Sequence, residues 1–237
     1  MPSRPTSPPP KAAARESTAP SRAVELIISA IREGRYVPGQ RLVEADLVDE
    51  LEVSRSSVRE ALRGLEAQGL VEMIPHRGAR VRRLSADDVR EVYEVRAIVE
   101  SGAARLAALR IDEPGHRKRL GDALKALRKA AERGDVIGYI DAIAGYHDTV
   151  FELTGNSQLS AIVETSRLQT ARFTLSPFLS ETPVLMKKSL ADHEEITERI
   201  LAGDADRAMV AMRKHVEGIG VLATSTVSSL DARTPTR

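Results

Sequence analysis

Three of the five histidines in this 237-residue chain occupy positions on the apolar faces of three separate amphipathic segments. One such histidine would be read as a core residue. Three of them on neighbouring inward faces are costly to bury unless something binds them. Neutral imidazoles are a ligand set that borderline divalent metals prefer, and they leave positions open for water or an anion. The pattern predicts a shared metal or ligand site formed by His147, His193 and His215.

Arg96 lies on an apolar stripe that includes Val92 and Val99, so its guanidinium should point into the core. A buried arginine requires an anion. The sequence leaves two possibilities of equal weight. The anion is either an internal partner, Glu94 or Glu100, or the carboxylate of a small ligand.

A second group of charged residues precedes this region. Residues 53–83 contain seven arginines and three glutamates, although the net charge of the chain is only +1. Such a local basic patch is typical of nucleic-acid-binding proteins. Ser54 can cap a helix on which Arg55 and Arg59 lie one turn apart, opposite Val58. These guanidinium groups could bind guanine edges in the major groove. Two solvated arginines on a surface helix would give the same sequence pattern.

The periodicity of apolar residues predicts the elements that carry these arginines. Helices are predicted at residues 24–31, 44–51 and 54–69. The period then changes, and residues 70–82 read as two short strands around a turn at residues 75–78. Three helices followed by a hairpin predict a winged helix-turn-helix domain over residues 21–84.

The rest of the chain reads as helical. Ser85 and Asp88 form a capping box that opens a long helix towards Leu109. Further helices are predicted at residues 114–134, 135–154, 156–175, 181–203 and 204–223. The fold class is therefore mainly α, with a second domain at residues 85–226. Residues 1–20, which hold six of the twelve prolines, and residues 227–237 are predicted to be disordered tails.

Composition excludes several classes of protein. The chain has no cysteine, so disulfides and thiolate metal sites are excluded. No apolar run approaches the roughly 18 residues of a membrane helix, and the first residues lack the apolar core of a signal peptide. Only 3% of residues are aromatic, which disfavours the stacking platforms of RNA-binding proteins. We therefore expect a cytoplasmic protein without a membrane partner.

Five linked segments of residues 21–84 resemble the GntR family of bacterial transcription factors. They are Val37-Pro38-Gly39-Gln40-Arg41-Leu42, Glu44-x-x-Leu47, Val53 to Leu62, Leu65-Glu66-x-x-Gly69-Leu70-Val71, and Pro75-His76-Arg77-Gly78-Ala79-x-Val81. The resemblance implies that Arg55 and Arg59 contact DNA from the recognition helix, beside the hydroxyls of Ser54 and Ser57. It also implies that the wing tip reaches the minor groove through His76, Arg77 and Gly78. Ala45 replaces an arginine that some members carry, which removes one contact with DNA.

Residues 86–226 resemble the FCD ligand-binding domain of the FadR subfamily. The matching segments are residues 89–108 with Glu94-Val95-Arg96 and Glu100, Tyr146-His147 with Gly155-Asn156, Asp192-His193-Glu194, Gly203-Asp204, and Met212-Arg213-Lys214-His215. The resemblance implies an antiparallel bundle of six to seven helices and a homodimer. It also implies a divalent metal, often zinc or nickel, beside an organic-acid effector.

The metal set of that family is an aspartate and a histidine at i and i+4, with two later histidines. The three histidines match, but the aspartate position is Ile143. The missing carboxylate should weaken binding of a cation. Two alternatives remain: a three-histidine metal site completed by the effector, or histidines that bind the effector without a metal.

These features predict a ligand-responsive DNA-binding regulator rather than an enzyme. We expect a repressor released from a pseudo-palindromic double-stranded operator by a small organic or sugar acid held by Arg96. A metal-dependent hydrolase is one alternative, because three histidines also describe catalytic zinc. Against it, no helix places a carboxylate beside these histidines as an evident general base. The other alternative is an architectural DNA-binding protein, which would give the buried arginine and histidines no role.

Overall fold

The computed structural model describes residues 18–32, 34–75, 77–163, 166–167, 169–170 and 182–233. In chain order the elements are α1 (Ala19–Arg32), β1 (Arg41–Leu42), α2 (Glu44–Leu51), α3 (Arg55–Ala67), β2 (Val71–Ile74), β3 (Gly78–Val81), α4 (Ala86–Leu109), α5 (His116–Arg133), α6 (Val136–Leu153), α7 (Thr182–Leu201) and α8 (Ala205–Arg233). Residues 157–163 are also helical. None of the described helices is long and apolar enough to cross a membrane.

The N-terminal elements form a winged helix-turn-helix domain, as predicted. Val58, Leu62 and Leu65 are completely buried and join α3 to the core of this domain. Ser54 caps α3, because its hydroxyl accepts a hydrogen bond of 3.1 Å from the backbone N–H of Ser57. The helix therefore begins where the sequence indicates, with its arginines on the side away from the core.

The wing contains a third strand that the sequence did not predict. β3 lies in the middle of the sheet, antiparallel to β2 and to β1. β1 is only Arg41 and Leu42, which is too short to show the alternation that identifies strands. Arg41 donates from Nε to the carbonyl of Arg77 at 3.0 Å, so this strand also fixes the turn of the wing.

The helical domain begins with α4, whose N-terminus carries the predicted capping box of Ser85 and Asp88. α8 lies antiparallel to α4, so Arg105 reaches Asp206 at 3.1 Å near one end of the pair. α5 and α6 are also antiparallel, whereas α6 and α7 run parallel. The 28 residues from 154 to 181 separate α6 from α7, which is enough chain to return to the same end of the bundle.

The helices extend further towards both ends of the chain than predicted. α1 begins at Ala19, inside the predicted tail, and the prediction of a disordered tail is wrong for residues 227–233, which belong to α8. Val227 is 3% exposed and packs in the bundle core, which keeps this segment helical. The hydroxyls of Ser228 and Ser229 donate to backbone carbonyls four residues earlier instead of breaking the helix. Residues 1–17, 171–181 and 234–237 lie outside the described residues.

Val227→Asp should therefore destabilise the protein, because it places an unpaired carboxylate in the core. We expect a loss of about 3 kcal/mol or more, which corresponds to a decrease in melting temperature of roughly 6–12 °C. Ser228→Asp, one residue further on the exposed side of the same helix, is the matched control. Equal melting temperatures for the two variants would contradict the packing of this helix end.

Candidate functional site

A basic groove lies between α3 and the wing, with a volume of about 580 Å³. Five arginines line it against a single carboxylate, that of Glu44. The arginines are Arg41, Arg55, Arg59, Arg63 and Arg77. Such a concentration of guanidinium groups complements the phosphates of a nucleic acid and attracts it from a distance.

Arg59 is held in this groove by an acidic residue that the sequence analysis did not single out. Its Nε donates to Oε2 of Glu44 at 2.8 Å, and its side chain remains 58% exposed. Glu44 is the first residue of α2, so no local pattern connects it with α3. Ala45 lines the same groove without a charge, at the position where the family resemblance implied a lost contact.

The other residues predicted to contact DNA differ in their placement. Ser57 is only 8% exposed, and its hydroxyl lies 2.9 Å from that of Ser54, so both contribute to the cap of α3. Arg77 is exposed on the wing, whereas Gly78 is buried below it. Gly78 has a φ of +88°, and a Cβ there would lie 2.3 Å from a backbone oxygen of β1, so the sheet requires this glycine. His76 lies outside the described residues.

The structure brings together the three histidines that the sequence singled out. His147 comes from α6, His193 from α7 and His215 from α8, and all three are buried. One ring nitrogen of each lies within 4.8 Å of the others. The apolar stripes of three helices therefore converge on one point, as their spacing indicates.

Each imidazole is anchored through Nδ1 by an outer partner. The partners are Oε2 of Glu100 for His147 at 2.7 Å, the Ser189 carbonyl for His193 at 2.7 Å, and Oδ2 of Asp192 for His215 at 3.2 Å. Such contacts orient metal-ligating histidines and make Nε2 more basic. Nε2 of His193 is buried and has no hydrogen-bond partner among the described residues.

Burial also affects the protonation of two of these histidines. It lowers the pKa of His147 and, together with the two neighbouring imidazoles, lowers the pKa of His193 well below its usual value. Neutral rings offer a nitrogen lone pair to a cation. Three imidazoles, with the orphan Nε2 of His193 among their nitrogens, fit a divalent ion, and Ile143 adds no ligand to the set.

Arg96 forms the internal ion pair that the sequence left open. Its Nε donates to Oε1 of Glu100 at 2.8 Å, and Glu100 is completely buried. Glu94 instead pairs with Arg90 on the surface of α4. Burial acts to raise the pKa of Glu100, but the guanidinium of Arg96 and the imidazole of His147 outweigh it, so this pKa lies well below its ordinary value.

The expectation that no carboxylate lies beside the histidines is wrong. Glu100 reaches His147 from α4, and Asp192 reaches His215 from α7 across to α8. Both contacts join different helices, so the periodicity of one helix cannot reveal them. Sequence reasoning also missed Arg167, which is 14% exposed, lies 2.5 Å from Asp148 and contributes to lowering the pKa of Glu100.

An arginine-lined winged helix joined to a helical bundle with a buried histidine cluster defines a class of DNA-binding regulator with a sensing domain. Residues 20–81 match the family model "Bacterial regulatory proteins, gntR family", and residues 91–218 match the model of the FCD domain. The chain therefore belongs to the GntR family and carries an FCD domain. Members of this family are transcriptional regulators and not enzymes.

Similar proteins agree with this assignment. The chain is 31% identical over 209 residues to the HTH-type transcriptional regulator LutR of Bacillus subtilis, covering 80% of this chain and 94% of LutR. It is 29% identical over 200 residues to the "Probable D-xylose utilization operon transcriptional repressor" of Paenarthrobacter nicotinovorans, covering 84% and 86%. The structure of Escherichia coli McbR/YncC has the same fold, with a TM-score of 0.76 at 18% identity over 88% of this chain and 99% of that one.

Proposed function

We propose that this protein is a repressor that a small organic or sugar acid releases from a double-stranded DNA operator. The buried three-histidine cluster carries this proposal, because it offers a ligand site within a chain that also has an arginine-lined DNA-binding groove. Relatives of the chain are named as repressors, among them RspR of Escherichia coli at 28% identity over 182 residues. An operator as target places this function in the cytoplasm.

In this proposal some arginines of the groove bind bases and others bind phosphates. Arg55 and Arg59 lie at the exposed N-terminal half of α3 and would bind base edges in the major groove, as bidentate arginines do with guanine. Arg41 and Arg77 on the wing would bind the backbone and the adjacent minor groove. Glu44 would orient the guanidinium of Arg59. It accepts a hydrogen bond from Nε of Arg59, which leaves the two Nη groups available for DNA.

We propose a homodimer formed through the exposed groove between α4 and α8, which has a volume of about 680 Å³. Ile98 and Val221 line it and are 67% and 70% exposed, which is unusual for large apolar residues. Arg213 and Glu217 also line it, so the groove carries both charge signs. A two-fold interface places a patch against its own copy, which requires such self-complementarity and gives a pseudo-palindromic operator.

A divalent ion, zinc or nickel, would be held by His147, His193 and His215 and would supply a Lewis-acidic position for a carboxylate. Without an aspartate at position 143 these ligands leave the ion's charge uncompensated, which favours an anionic effector. Arg96 would hold a second oxygen of that effector. A guanidinium has five N–H donors, and the bonds of Arg96 to Glu100, Thr170 and Tyr93 account for three of them.

Arg55→Ala and Arg59→Ala should each weaken operator binding by about 1–3 kcal/mol, because each removes a bidentate base contact. The operator is a duplex selected from a random pool by the wild-type protein, and affinity is measured by fluorescence anisotropy at fixed salt. Arg105→Ala, an exposed arginine of the helical domain, is the control and should bind normally. Wild-type affinity in both groove variants would refute the assignment of α3 as the recognition helix.

Protein purified without a histidine tag and incubated with zinc or nickel should contain about one ion per protomer by elemental analysis. His193→Ala should abolish this binding, because it removes the orphan nitrogen of the cluster. His116→Ala removes a histidine outside the cluster and should leave the metal content unchanged. A wild-type content below about a tenth of an equivalent would favour direct binding of the effector by the histidines.

An acid identified by thermal-shift screening should lower operator affinity about 5- to 150-fold, the usual range of allosteric coupling. Arg96→Lys should lose most of this response, because a lysine ammonium cannot bind both oxygens of a carboxylate in the bidentate geometry of a guanidinium. Arg96→Ala is less informative, since an unpaired Glu100 would cost about 3–5 kcal/mol of stability. If no acid that binds the wild type changes its operator affinity, the sensor proposal fails.

A further inference from the structure

A side chain of the helical domain contacts the end of α3 directly. The Nε2 amide of Gln169 donates a hydrogen bond of 2.9 Å to the backbone carbonyl of Gln68. Gln68 is the C-cap of α3, and carbonyls in the last turn of a helix have no partner within that helix. The side chain of Gln169 in the helical domain therefore supplies a hydrogen-bond donor to a carbonyl at the C-terminal end of α3.

The residue after this cap has a backbone conformation that favours glycine. Gly69 has a φ of +67°, and a Cβ there would lie 2.5 Å from Nε2 of Gln169 and 3.3 Å from Nη1 of Arg82. Arg82 in turn reaches Asp88 in the first turn of α4 at 3.1 Å. The contact therefore lies where the end of the wing meets the first turn of α4.

The next residue, Thr170, ties the same helical segment to the histidine site. It is completely buried, and its hydroxyl accepts a hydrogen bond of 3.0 Å from Nη1 of Arg96. Arg96 is paired with Glu100, which contacts His147 at 2.7 Å. Consecutive Cα atoms are a fixed 3.8 Å apart, so a displacement of Thr170 also displaces Gln169.

We propose that Gln169 is a positioning residue that transmits occupancy of the histidine site to α3. The inference rests on the proposed function in one respect, that a ligand acts at the histidine site. A ligand that displaces Arg96 from Thr170, directly or through His147 and Glu100, shifts the segment, and a bond of 2.9 Å does not survive a shift of about 1 Å. The end of α3 is then released from the bundle, which changes how the arginine groove is presented to DNA.

Amide hydrogen exchange of residues 62–70 in the full-length, metal-free protein tests the contact. Gln169→Met keeps the length of the side chain but removes the donor, and exchange should rise about fivefold, the equivalent of one hydrogen bond. Gln158→Met, the same substitution at an exposed position of the same domain, should leave exchange unchanged. Gln169→Ala is a second donor-free variant. Melting temperatures within about 3 °C of wild type separate a lost contact from a lost fold.

The variant Arg96→Lys tests whether the contact of Gln169 is connected to the histidine site. If that contact were only structural, this distant substitution would not change the exchange of residues 62–70. Lysine keeps the positive charge beside Glu100 but lacks the Nη1 group that reaches Thr170. This substitution should raise exchange of residues 62–70 in the wild-type background and add nothing to Gln169→Met, because both interrupt the same connection. Wild-type exchange in Gln169→Met, or multiplicative effects of the two substitutions, would overturn the inference.

The effect of zinc on operator affinity provides an independent test of the inference. In the wild type and in Gln158→Met, Zn²⁺ should change operator affinity about fivefold or more, within the usual range of coupling. In Gln169→Met this change should fall below about twofold, while the affinity for zinc itself stays the same. An undiminished zinc response in Gln169→Met would overturn the inference. If zinc does not bind the wild type, the proposed metal site fails, and the metal-free exchange measurements still decide the role of Gln169.

Discussion

The buried carboxylate of Glu100 constrains the helical domain more than any other charge near its centre. Both of its oxygens are engaged, one by the guanidinium of Arg96 on the same helix and the other by the imidazole of His147 on α6. An ionised group without access to water costs several kcal/mol unless its partners are held in place. This single side chain therefore constrains both the distance between α4 and α6 and the orientation of one histidine of the cluster.

That constraint also decides which nitrogens can bind a ligand. A carboxylate can only accept a hydrogen bond, so the contact with Glu100 favours the tautomer of His147 that has its proton on Nδ1 and a lone pair on Nε2. Asp192 contacts Nδ1 of His215 in the same way, and burial lowers the pKa of His193 well below its usual value. These outer partners support the proposed cation site, which has no carboxylate at position 143.

The sequence was sufficient for features that depend on periodicity and on caps. The bounds of α2 and the caps at Ser54 and Ser85 follow from local patterns, and so does the convergence of the three histidines. Contacts between distant elements were not predictable in the same way. Glu44 with Arg59 and Glu100 with His147 join helices whose relative placement no single helix encodes.

The serine-rich end of α8 shows a different limit of prediction from the sequence. Serine and threonine favour loops in isolation, because their hydroxyls compete for backbone hydrogen bonds. In the last turns of α8 one apolar residue, Val227, packs on the bundle core. Tertiary packing therefore decided a segment that its composition assigned to disorder.

The parallel pairing of α6 and α7 has a consequence for how this domain tolerates change. Tyr139 donates to the carbonyl of Met186 and Tyr146 to that of His193, so two phenols seven residues apart align the helices at one constant offset. These two hydrogen bonds, and not the length of the chain between the helices, set the position of α7 along α6. A change in the length of that connection that keeps its contacts at Thr170 and Gln169 would therefore leave the imidazoles of His147 and His193 opposite each other.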